Sequence, residues 1–577
     1  MQPVTERTWS LKEHDDETLG ELLAGGDIPP LIARLLSARG IRSREEMKQF
    51  LSPSLADMAD PFLLKGMAGA VERLAVARER GETVCIHGDY DVDGVTSVAL
   101  LLTFLQGVGF PAVYVIPLRL EEGYGLSTDG VDEAARLGAS VLITVDCGIT
   151  SLREAAYCRE KGVDLIITDH HTPGETLPDA LAVINPLQPG CSAPFRQLAG
   201  VGLAFKLAIA LRSRLRADGC FANGGEPNLR EYLDLAALGT IADLVPLKGE
   251  NRIIAAFGLR ELTASRRTGI RALKKVAAVT DPVGCGDVGF RLAPRLNAAG
   301  RLDDARRGVE LLLSSDPDEA AVIAAELDAA NRERQEIEKE ILADALARAR
   351  SATMAGRSAI VMASDTWHPG VIGIVASRVV EAFHRPVILI ALQDGIGKGS
   401  GRSIPALHLH DAIAACSEHL LKFGGHKQAA GLTVDEKTLE AFIAHFDEVV
   451  AGQLTEEDFT PVLQIDAELA PEEITPELVG LLAPLRPFGM GNPEPLFMLR
   501  GARVLQSRVL KDTHLKLRVA AAGREFEAIG FGMASRGIET GVVDIAFVPE
   551  LNTWNGRESL QLRLKDIRRN GVDDGAL

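Results

Sequence analysis

The segment HGDYDVDG, at residues 87–94, decides how the first half of this chain folds. An apolar run at 83–86 precedes it, and residues 94–106 follow it with the pattern of a helix. Two further apolar runs, 141–145 and 165–168, also end directly before carboxylates or imidazoles. If these runs are parallel strands, their polar residues meet at one sheet edge, where ligands bind in open α/β sheets. The sequence therefore predicts an α/β domain with a ligand site at that edge.

Length and composition bound the size and charge of the protein. At 577 residues the chain is too long for one hydrophobic core, so we expect roughly three or four domains. Apolar residues make up 46% and charged residues 25%, which excludes a largely disordered chain. The net charge of −18 argues against a broadly basic, nucleic-acid-binding surface, but not against a local basic groove. Bound divalent cations would neutralise part of this acidity.

Cysteine usage and the N-terminal residues favour a cytoplasmic protein. The seven cysteines are odd in number, scattered and without a C-x-x-C pair, as expected for a reduced chain. Residues 1–19 are rich in charge and lack the apolar segment of a signal peptide. Residues 95–118 carry no charge, but Gly107, Gly109 and Pro111 interrupt them. We interpret them as a buried helix followed by a strand, and expect no membrane partner.

Pattern changes divide the chain into five segments. Residues 1–50 are polar and helical in pattern, which predicts a lid or small subdomain. Strand-like and helical patterns alternate over 51–315, as in βαβ units, and again over 351–455. The Ala-, Glu- and Arg-rich stretch at 316–350 predicts a long helix connecting these α/β domains, although a helix packed inside one domain would look the same. Residues 456–577 form the last segment.

Alternation in the last segment predicts half-buried strands. Apolar residues alternate with polar or basic ones over 514–519 and 560–565, and Asn555-Gly556 is a strong hairpin signal. This pattern fits a small β-barrel of the oligonucleotide-binding kind. A structural barrel with a solvated face would look the same, but cations and an aromatic ring also suit single-stranded DNA. The residues of this candidate DNA face are Lys516, Arg518, Trp554 and Arg563.

The polar residues at the strand ends have the composition of a metal site. The candidates are His87, Asp91, Asp93, Asp146, His170, His171 and Asp243. Mg²⁺ and Mn²⁺ prefer carboxylate oxygens, and Mn²⁺ tolerates imidazole better. Four carboxylates and three imidazoles suit two ions that share a bridging carboxylate. Because two ions about 3.5–4 Å apart serve in-line displacement at phosphorus, the set predicts phosphoester hydrolysis. Taken singly, each residue could instead be a surface carboxylate or a helix cap.

Several of these segments also match a known family. In chain order they are DYDVDG at 89–94, GYG at 123–125, DCG at 146–148, DHH at 169–171, LGTIAD at 238–243 and RLNAAGR at 295–301. This series resembles the DHH phosphoesterases, and GGH at 424–426 with AAG at 429–431 resembles their associated second domain. The whole chain is similar to the bacterial single-strand-specific exonucleases of that family. The resemblance implies a parallel-sheet DHH domain, a long helix, a second α/β domain and a C-terminal barrel of the oligonucleotide-binding (OB) type.

The resemblance also implies an activity and its partners. These enzymes degrade single-stranded DNA from the 5′ end to 5′-mononucleotides, with Mg²⁺ or Mn²⁺, in recombination and repair. They work alongside single-strand-binding protein and a RecQ-type helicase. The metal ligands that the resemblance implies are Asp91, Asp93, Asp146, His170 and Asp243, with Asp146 as the bridge. His87 would be a further ligand, and His171 would lie near the scissile phosphate. Asp89 and Asp169 would orient these groups.

Arginine-containing segments are candidates for holding the DNA. Arg295, Asn297 and Arg301 lie in a glycine-containing segment, where guanidinium groups could bind phosphate oxygens. An ordinary arginine at a helix end is the alternative. Arg119 is a further candidate for a phosphate contact.

A second candidate is a cradle for the terminal 5′-phosphate. KGSGRS at 398–403 combines small residues, hydroxyls and cations, as phosphate binding requires. With the nearby GGH motif, it makes Ser400, Arg402 and His426 the residues expected to bind that phosphate. If one domain holds the 5′-phosphate and the other holds the metals, only the terminal nucleotide reaches the reacting groups. A channel too narrow for a duplex would select single strands.

Two other functions share the metal motifs. They also resemble those of family II inorganic pyrophosphatases and of small DHH enzymes that cleave dinucleotides, but neither small substrate explains the barrel or the long helix. A catalytically inactive scaffold would be expected to have lost metal carboxylates. This chain retains Asp91, Asp93, Asp146 and Asp243, which favours an active nuclease.

Overall fold

The computed structural model describes residues 7–26, 28–117, 125–302, 304–554 and 557–569, apart from the side chains of residues 302, 553, 554 and 557. The described residues form two compact units. The parallel-sheet unit comprises Lys48–Arg334 and Leu485–Pro493. The barrel unit comprises the described residues of Met1–Met47, Gln335–Pro484 and Glu494–Leu577.

The strands are numbered in chain order. They are β1 Thr8–Leu11, β2 Thr83–Gly88, β3 Ala112–Val115, β4 Ala139–Val145, β5 Asp164–Thr168, β6 Ala182–Ile184, β7 Ile360–Ser364, β8 Val387–Gln393, β9 Ile396–Arg402, β10 Leu420–Gly425, β11 Ala429–Asp435, β12 Val462–Ile465, β13 Ala467–Glu468, β14 Phe497–Leu510, β15 His514–Ala521, β16 Arg524–Gly530, β17 Gly541–Trp554 and β18 Arg557–Arg569.

The α-helices are numbered in the same way. They are α1 Asp16–Leu23, α2 Pro30–Ser37, α3 Arg44–Leu51, α4 Met67–Arg80, α5 Val92–Gly107, α6 Thr128–Arg136, α7 Leu152–Glu160, α8 Gly200–Ala217, α9 Leu233–Ala242, α10 Gly249–Ala264, α11 Thr268–Val276, α12 Cys285–Asp287, α13 Ala293–Leu302, α14 Arg306–Leu313, α15 Pro317–Met354, α16 Ile372–Phe383, α17 Leu409–Ala414, α18 Leu439–Gln453 and α19 Pro476–Leu482. A π-helical turn at Val288–Leu292 precedes α13.

Five parallel strands, in the order β3-β2-β4-β5-β6, form the sheet of the parallel-sheet unit. The three predicted strands are β2, β4 and β5, and they are buried on both faces. Parallel sheets covered by helices on both faces use such continuous apolar strands. Gly88 pairs with Val145, and Val145 pairs with Thr168, so the three strands end at the same edge. The chain leaves β2 for β3 on one side and returns to β4 on the other, which makes the β2–β4 crevice the topological switch point.

The charge-free stretch at 95–118 belongs to the core of this unit. Helix α5 is buried at nearly every position, and the edge strand β3 follows it. The predicted buried helix and strand are therefore confirmed. Among the described residues, no helix has both the length and the apolar composition that crossing a membrane requires.

Helix α15 is the predicted long helix. Its residues up to Arg334 belong to the parallel-sheet unit, and those from Gln335 belong to the barrel unit. The barrel unit continues with a mixed sheet in the order β10-β11-β9-β8-β7, where β7 and β8 are parallel and the other pairs antiparallel. Helix α16 packs on this sheet, and its buried face contains Val375, Ala376 and Val379.

The C-terminal strands form a closed five-stranded barrel. The strand order is β14-β15-β16-β18-β17, and pairing of β17 with β14 closes it. Leu515, Leu517 and Val519 of β15 are buried, as the alternation predicts. The predicted hairpin at 555–556 lies outside the described residues.

The N-terminal residues differ from the predicted helical segment. Strand β1 pairs in parallel with β12, which lies more than 450 residues later in the chain. The indole Nε1 of Trp9 donates to Oδ2 of Asp566 at 2.9 Å, and Lys12 pairs with Asp466 at 2.9 Å. Helices α1 to α3 follow this strand. A strand of only four residues contains too few alternations to be recognised in a polar sequence. The pattern therefore predicted only helices.

Candidate metal centre

Helix N-termini hold two carboxylates of the loop after β2. Asp91 is the N-cap of α5, and its Oδ1 accepts hydrogen bonds from the amides of Asp93 (2.9 Å) and Gly94 (3.1 Å). The carboxylate of Asp93 accepts from the first two amides of α8, Gly200 at 2.6 Å and Val201 at 2.8 Å. Because backbone donors have fixed directions, the two helices determine where both carboxylates lie.

Asp146 occupies a sharp turn at the carboxyl end of β4. Its φ of 61° is in the left-handed region, which among non-glycine residues Asp and Asn enter most readily. Its amide donates to the carbonyl of Thr168 at 3.0 Å. Gly200 approaches so closely that a Cβ there would lie 2.7 Å from Cβ of Asp146. The turn and the neighbouring helix thus fix the position of this carboxylate.

The imidazole of His170 lies among the carboxylates of three other elements. Its Nε2 is 3.0 Å from Oδ1 of Asp146, 3.7 Å from Oδ2 of Asp243 and 3.9 Å from Oδ2 of Asp93. Asp243 is the residue directly after α9. Loops after β2, β4 and β5 and the end of a helix therefore meet at the predicted sheet edge.

Candidate ligand atoms lie within 4.8 Å of one another in three overlapping groups. The groups are Asp146, His170 and His171; Asp93, His170 and Asp243; and Asp89, Asp91 and Asp146. Asp146 and His170 each belong to two groups. A carboxylate shared between groups has the position required of a bridging ligand, which is the role that the resemblance implies for Asp146.

Unused polar atoms indicate that this centre fits divalent cations. Nε2 of His170 and Oδ2 of Asp243 are buried, and neither makes a hydrogen bond within the described part of the chain. Buried polar atoms are ordinarily hydrogen-bonded or bound to an ion, so these two atoms point to a ligand. Clustered carboxylates with an imidazole form a donor set that suits Mg²⁺ or Mn²⁺.

The electrostatics of the groups lead to the same conclusion. Burial and the charge of Asp91 raise the pKa of Asp93 to about 7. Burial, with the charges of Asp93 and Asp91, raises the pKa of Asp243 to about 9, and burial raises the pKa of Asp146 well above its ordinary range. Burial lowers the pKa of His170 to about 4, so its imidazole is neutral and able to coordinate. Bound cations would supply the positive charge that favours the ionised form of these carboxylates.

Asp169 makes two hydrogen bonds to His171. Its Oδ1 accepts from Nδ1 of His171 at 2.8 Å and from the amide of His171 at 3.0 Å, and its Oδ2 accepts from the amide of Ile149 at 2.9 Å. Burial alone would lower the pKa of His171, but the hydrogen bond and charge of Asp169 raise it above its ordinary value. The hydrogen bond between Nδ1 and Asp169 thereby fixes the orientation of the ring.

His87 belongs to none of the three groups. It is fully buried on β2, with Nδ1 3.8 Å from Sγ of Cys147. Helix α6 packs so closely that a Cβ on Gly130 would lie 2.8 Å from its Nε2. Burial lowers the pKa of His87 to about 4. Its Nε2 is buried and makes no hydrogen bond within the described part of the chain, so metal coordination by His87 stays a prediction.

Two predicted phosphate-binding residues of this unit have partners within the fold. Oδ1 of Asn297 accepts from the amide of Val92 at 3.1 Å and so caps the start of α5. Nε of Arg295 donates to Oδ1 of Asp328 on α15 at 2.9 Å. Both contacts tie α13 to neighbouring helices, and phosphate binding by these two residues stays a prediction. Arg301 is half-buried in the last turn of α13, and Arg119 lies outside the described residues.

The predicted phosphate cradle lies on β9 of the barrel unit. Ser400 and Arg402 are two residues apart on this strand and share one face, and Nη1 of Arg402 donates to Oγ of Ser400 at 3.2 Å. The start of α16 covers this face, since a Cβ on Gly373 would lie 2.8 Å from Oγ of Ser400. His426 is exposed in the turn between β10 and β11, and Ala429 at the end of that turn pairs with Arg402. Strand, turn and helix N-terminus therefore converge.

The barrel face is less basic than predicted. Lys516 pairs with Glu527 at 3.0 Å, and Arg518 lies 3.8 Å from Glu525. Arg563 is only 21% exposed and pairs with Glu550 at 3.0 Å and with Glu494. The side chain of Trp554 lies outside the described residues. The prediction missed these acidic partners because Glu525, Glu527 and Glu550 lie on neighbouring strands and Glu494 lies just before β14.

Sequence reasoning also missed the glycines that make the centre possible. Gly200 admits Asp146, and a Cβ on Gly239 would lie 2.9 Å from Oδ1 of Asp93 and 2.3 Å from Oγ1 of Thr96. Gly239 belongs to the LGTIAD motif, but glycine inside an apolar helix normally indicates close packing. Only the packed helices reveal that its neighbour is the candidate ligand Asp93.

Comparison with known proteins agrees with this fold and site. The DHH family, N-terminal domain, matches residues 83–240, the DHHA1 domain matches 356–452, and the RecJ OB domain matches 465–566. The parallel sheet with its carboxylate and histidine centre thus defines a protein of the DHH class.

Relatives and solved structures identify the family more narrowly. The single-stranded-DNA-specific exonuclease RecJ of Salmonella typhimurium is 42% identical, over 96% of this chain and 98% of its own length. The crystal structure of RecJ from Thermus thermophilus in complex with Mn²⁺ superposes with a TM-score of 0.84 at 35% identity, covering 99% of this chain and 81% of that one. The Mg²⁺ complex has a TM-score of 0.78 at 32% identity, covering 98% and 78%. This chain belongs to the RecJ family.

Proposed function

We propose that this protein is a single-strand-specific DNA exonuclease that removes 5′-mononucleotides from the 5′ end, using two divalent cations, in recombination and repair. The observation that carries the proposal is the buried centre in which Asp146 and His170 are shared between groups of candidate ligands. The relatives named as single-stranded-DNA-specific exonucleases, at near-complete coverage, support this substrate. The Mn²⁺ and Mg²⁺ complexes of the Thermus protein support the choice of ions.

The chain's own residues have separate roles in this reaction. Asp91, Asp93, Asp146, His170 and Asp243 would hold the ions. When bound, divalent cations supply Lewis acidity at the phosphodiester and acidify water. His171, oriented by Asp169, would donate a hydrogen bond from Nε2 to the phosphate that is cleaved. The helix amides that hold Asp93 keep its carboxylate in place as the substrate exchanges.

Ser400, Arg402 and His426 would bind the terminal 5′-phosphate. The guanidinium of Arg402 is already oriented by Oγ of Ser400 and by the carbonyl of Gly401, at 3.2 and 2.8 Å. The N-terminus of α16 adds a favourable dipole for an anion. Such a cradle selects a strand end, because a terminal phosphate carries more charge than an internal phosphodiester.

Replacing Arg402 by alanine is expected to reduce the preference for 5′-phosphorylated over 5′-hydroxyl strands by about tenfold or more. The reason is that a charge-assisted hydrogen bond contributes about 1.5–3 kcal/mol, and about 1.4 kcal/mol corresponds to tenfold. The measurement is the ratio of kcat/KM on a 5′-phosphorylated strand to kcat/KM on a 5′-hydroxyl strand. Lys437→Ala, which changes an exposed lysine of the same unit outside the KGSGRS segment, removes an equal charge and should leave the ratio unchanged. An unchanged ratio in Arg402→Ala would exclude this cradle.

The barrel face would bind single-stranded DNA through exposed cations. The pairs of Lys516 with Glu527 and of Arg518 with Glu525 are exposed, and such pairs contribute only about 0.2–1 kcal/mol. The cations can therefore exchange a glutamate for a phosphate at small cost. Arg563, half-buried between two glutamates, is not expected to take part.

The double variant Lys516→Gln, Arg518→Gln is expected to reduce the salt dependence of DNA binding. Two lost phosphate contacts lower the slope of log K against log salt by about 1.4, at about 0.7 per contact on a single strand. Binding is measured by fluorescence anisotropy over a salt series without divalent ions. The reverse pair, Glu525→Gln with Glu527→Gln, should strengthen binding. If both double variants had the same slope as the wild type, DNA would not contact this face.

The whole proposal is tested by digestion of 5′-labelled and 3′-labelled single strands with and without Mn²⁺. We expect early release of the 5′ label as a mononucleotide, only with the metal. Release of the 3′ label first, or faster turnover of pyrophosphate or a dinucleotide than of a long strand, would contradict it.

The cysteines within the described residues are all free, which supports a cytoplasmic location. Single-strand-binding protein and a RecQ-type helicase are the proposed partners.

A further inference from the structure

A second cluster of candidate metal ligands lies in the barrel unit, outside the residues assigned to the reaction. It comprises Glu418, His419 and His445. Nε2 of His419 and Nδ1 of His445 are 3.3 Å apart. Oε1 of Glu418 lies 3.4 Å from the first nitrogen and 3.6 Å from the second. From this geometry we propose that the three side chains form a binding site for Zn²⁺.

The three distances agree with one face of a zinc tetrahedron. Zinc binds imidazole nitrogen at about 2.0–2.1 Å and carboxylate oxygen at about 2.0–2.2 Å, so tetrahedral ligand atoms lie about 3.3–3.6 Å apart. All three observed separations, 3.3, 3.4 and 3.6 Å, fall in this range. The ring planes of the two histidines are inclined at 84°, which lets both nitrogens point to a common centre without ring contact.

The two imidazoles are held by separately anchored elements. His445 projects from α18, whose rotation is fixed by the fully buried side chains of Phe442 and Phe446. His419 ends a 3-10 turn, and its carbonyl accepts a hydrogen bond from Oγ1 of Thr438 at 2.9 Å. The ligands are therefore brought together by the fold and do not depend on a mobile chain end. Such preorganisation reduces the entropy that metal binding costs.

The donor set distinguishes this site from the carboxylate-rich centre. Two nitrogens and one oxygen favour Zn²⁺, whereas clustered carboxylates favour Mg²⁺ and Mn²⁺. The histidine side chains are 21% and 33% exposed and the glutamate 71%, so solvent can provide a fourth ligand. A simple hydrogen bond between the two imidazoles is the competing explanation of their distance. It predicts no metal affinity, so a binding measurement separates the two.

The test is Zn²⁺ binding to the full chain, measured by equilibrium dialysis in excess Mg²⁺, which occupies the carboxylate centre. We expect the wild type to retain one more equivalent of Zn²⁺ than the double variant His419→Gln, His445→Gln. His410→Gln, which changes another partly exposed histidine of the same unit, serves as the matched control and should bind like the wild type. Co²⁺ in place of Zn²⁺ should produce the intense visible bands of a tetrahedral site in the wild type and in His410→Gln, but not in the double variant.

Two measurements keep the outcome independent of folding and of the proposed exonuclease. Circular dichroism should show the double variant folded, and its Mg²⁺-dependent nuclease activity should be unchanged. Loss of Zn²⁺ binding in His445→Gln alone, with His410→Gln unaffected, would support the site. Equal Zn²⁺ stoichiometry in the wild type and the double variant, or equal loss in the His410→Gln control, would overturn it.

Discussion

The variant Asp146→Asn is expected to lose more than about a hundredfold in exonuclease kcat while remaining folded. Changing even an outer partner of a metal ligand typically costs about 10–100-fold, and Asp146 is the carboxylate shared between two ligand groups. Asparagine has the same shape and also tolerates the φ of 61° at this position, so the backbone should not change. Activity on a labelled single strand and DNA binding without divalent ions are the measurements. Binding should be nearly unaffected.

Alanine at the same position separates the chemical role from the backbone role. Both variants remove the ligand, but alanine also bears the cost of the left-handed conformation, about 1–2 kcal/mol. We expect equal inactivity and a lower midpoint of thermal unfolding for Asp146→Ala than for Asp146→Asn. Asp132→Asn, which changes an exposed carboxylate on α6, is the control and should keep full activity. Substantial activity in Asp146→Asn would show that the metal centre is elsewhere.

The second large effect is expected from Gly200→Ala, which removes no ligand. A Cβ at this position would lie 2.7 Å from Cβ and 3.0 Å from Cα of Asp146, whose backbone cannot move away easily. The same residue donates its amide to Asp93 at 2.6 Å, so a shift of α8 displaces both carboxylates. A misplacement of about 1 Å can cost about a hundredfold in rate. We therefore expect kcat to fall by about that factor and the apparent affinity for Mn²⁺ to fall with it.

A change in helix stability cannot account for the loss of activity expected in Gly200→Ala. Alanine is the better helix former by about 1 kcal/mol, so α8 itself should become more stable. Gly202→Ala on the same helix is the matched control, because its Cβ would first meet a flexible end, Cδ2 of Leu198, at 3.1 Å. This control should retain most of its activity. If both variants were equally active, the close approach of α8 to Asp146 would have no functional role.

Much of the fold could be predicted from local pattern. The apolar runs before Asp89, Asp146 and Asp169 are strands, because a strand buried on both faces requires continuous apolar sequence. The long helix and the alternating barrel strands are equally local in origin. Strand β1 was not predictable, because its partner β12 lies far along the chain and its own four residues carry no distinctive period.

The candidate binding residues also differ in how far local sequence could predict their surroundings. Asp93, Asp146, His170 and Asp243 were predictable because polar residues after buried strands and helices meet at one edge. Arg295 was predicted from its glycine-containing segment and Arg518 from strand alternation, and neither pattern showed that Asp328 and Glu525 lie beside these arginines in the fold. A charge in a sequence does not reveal its partner.

The strands, the sheet edge and the residue types of the candidate metal ligands could all be predicted from the amino-acid sequence. These features depend on the spacing of apolar residues and on residue type within short segments. The packing of the tertiary structure was needed to show which candidate ligands are shared between groups and how closely Gly200 approaches Asp146. It also brought His419 and His445 within 3.3 Å of each other. These features depend on distances between residues far apart in the chain, and such distances are set by how helices pack on sheets.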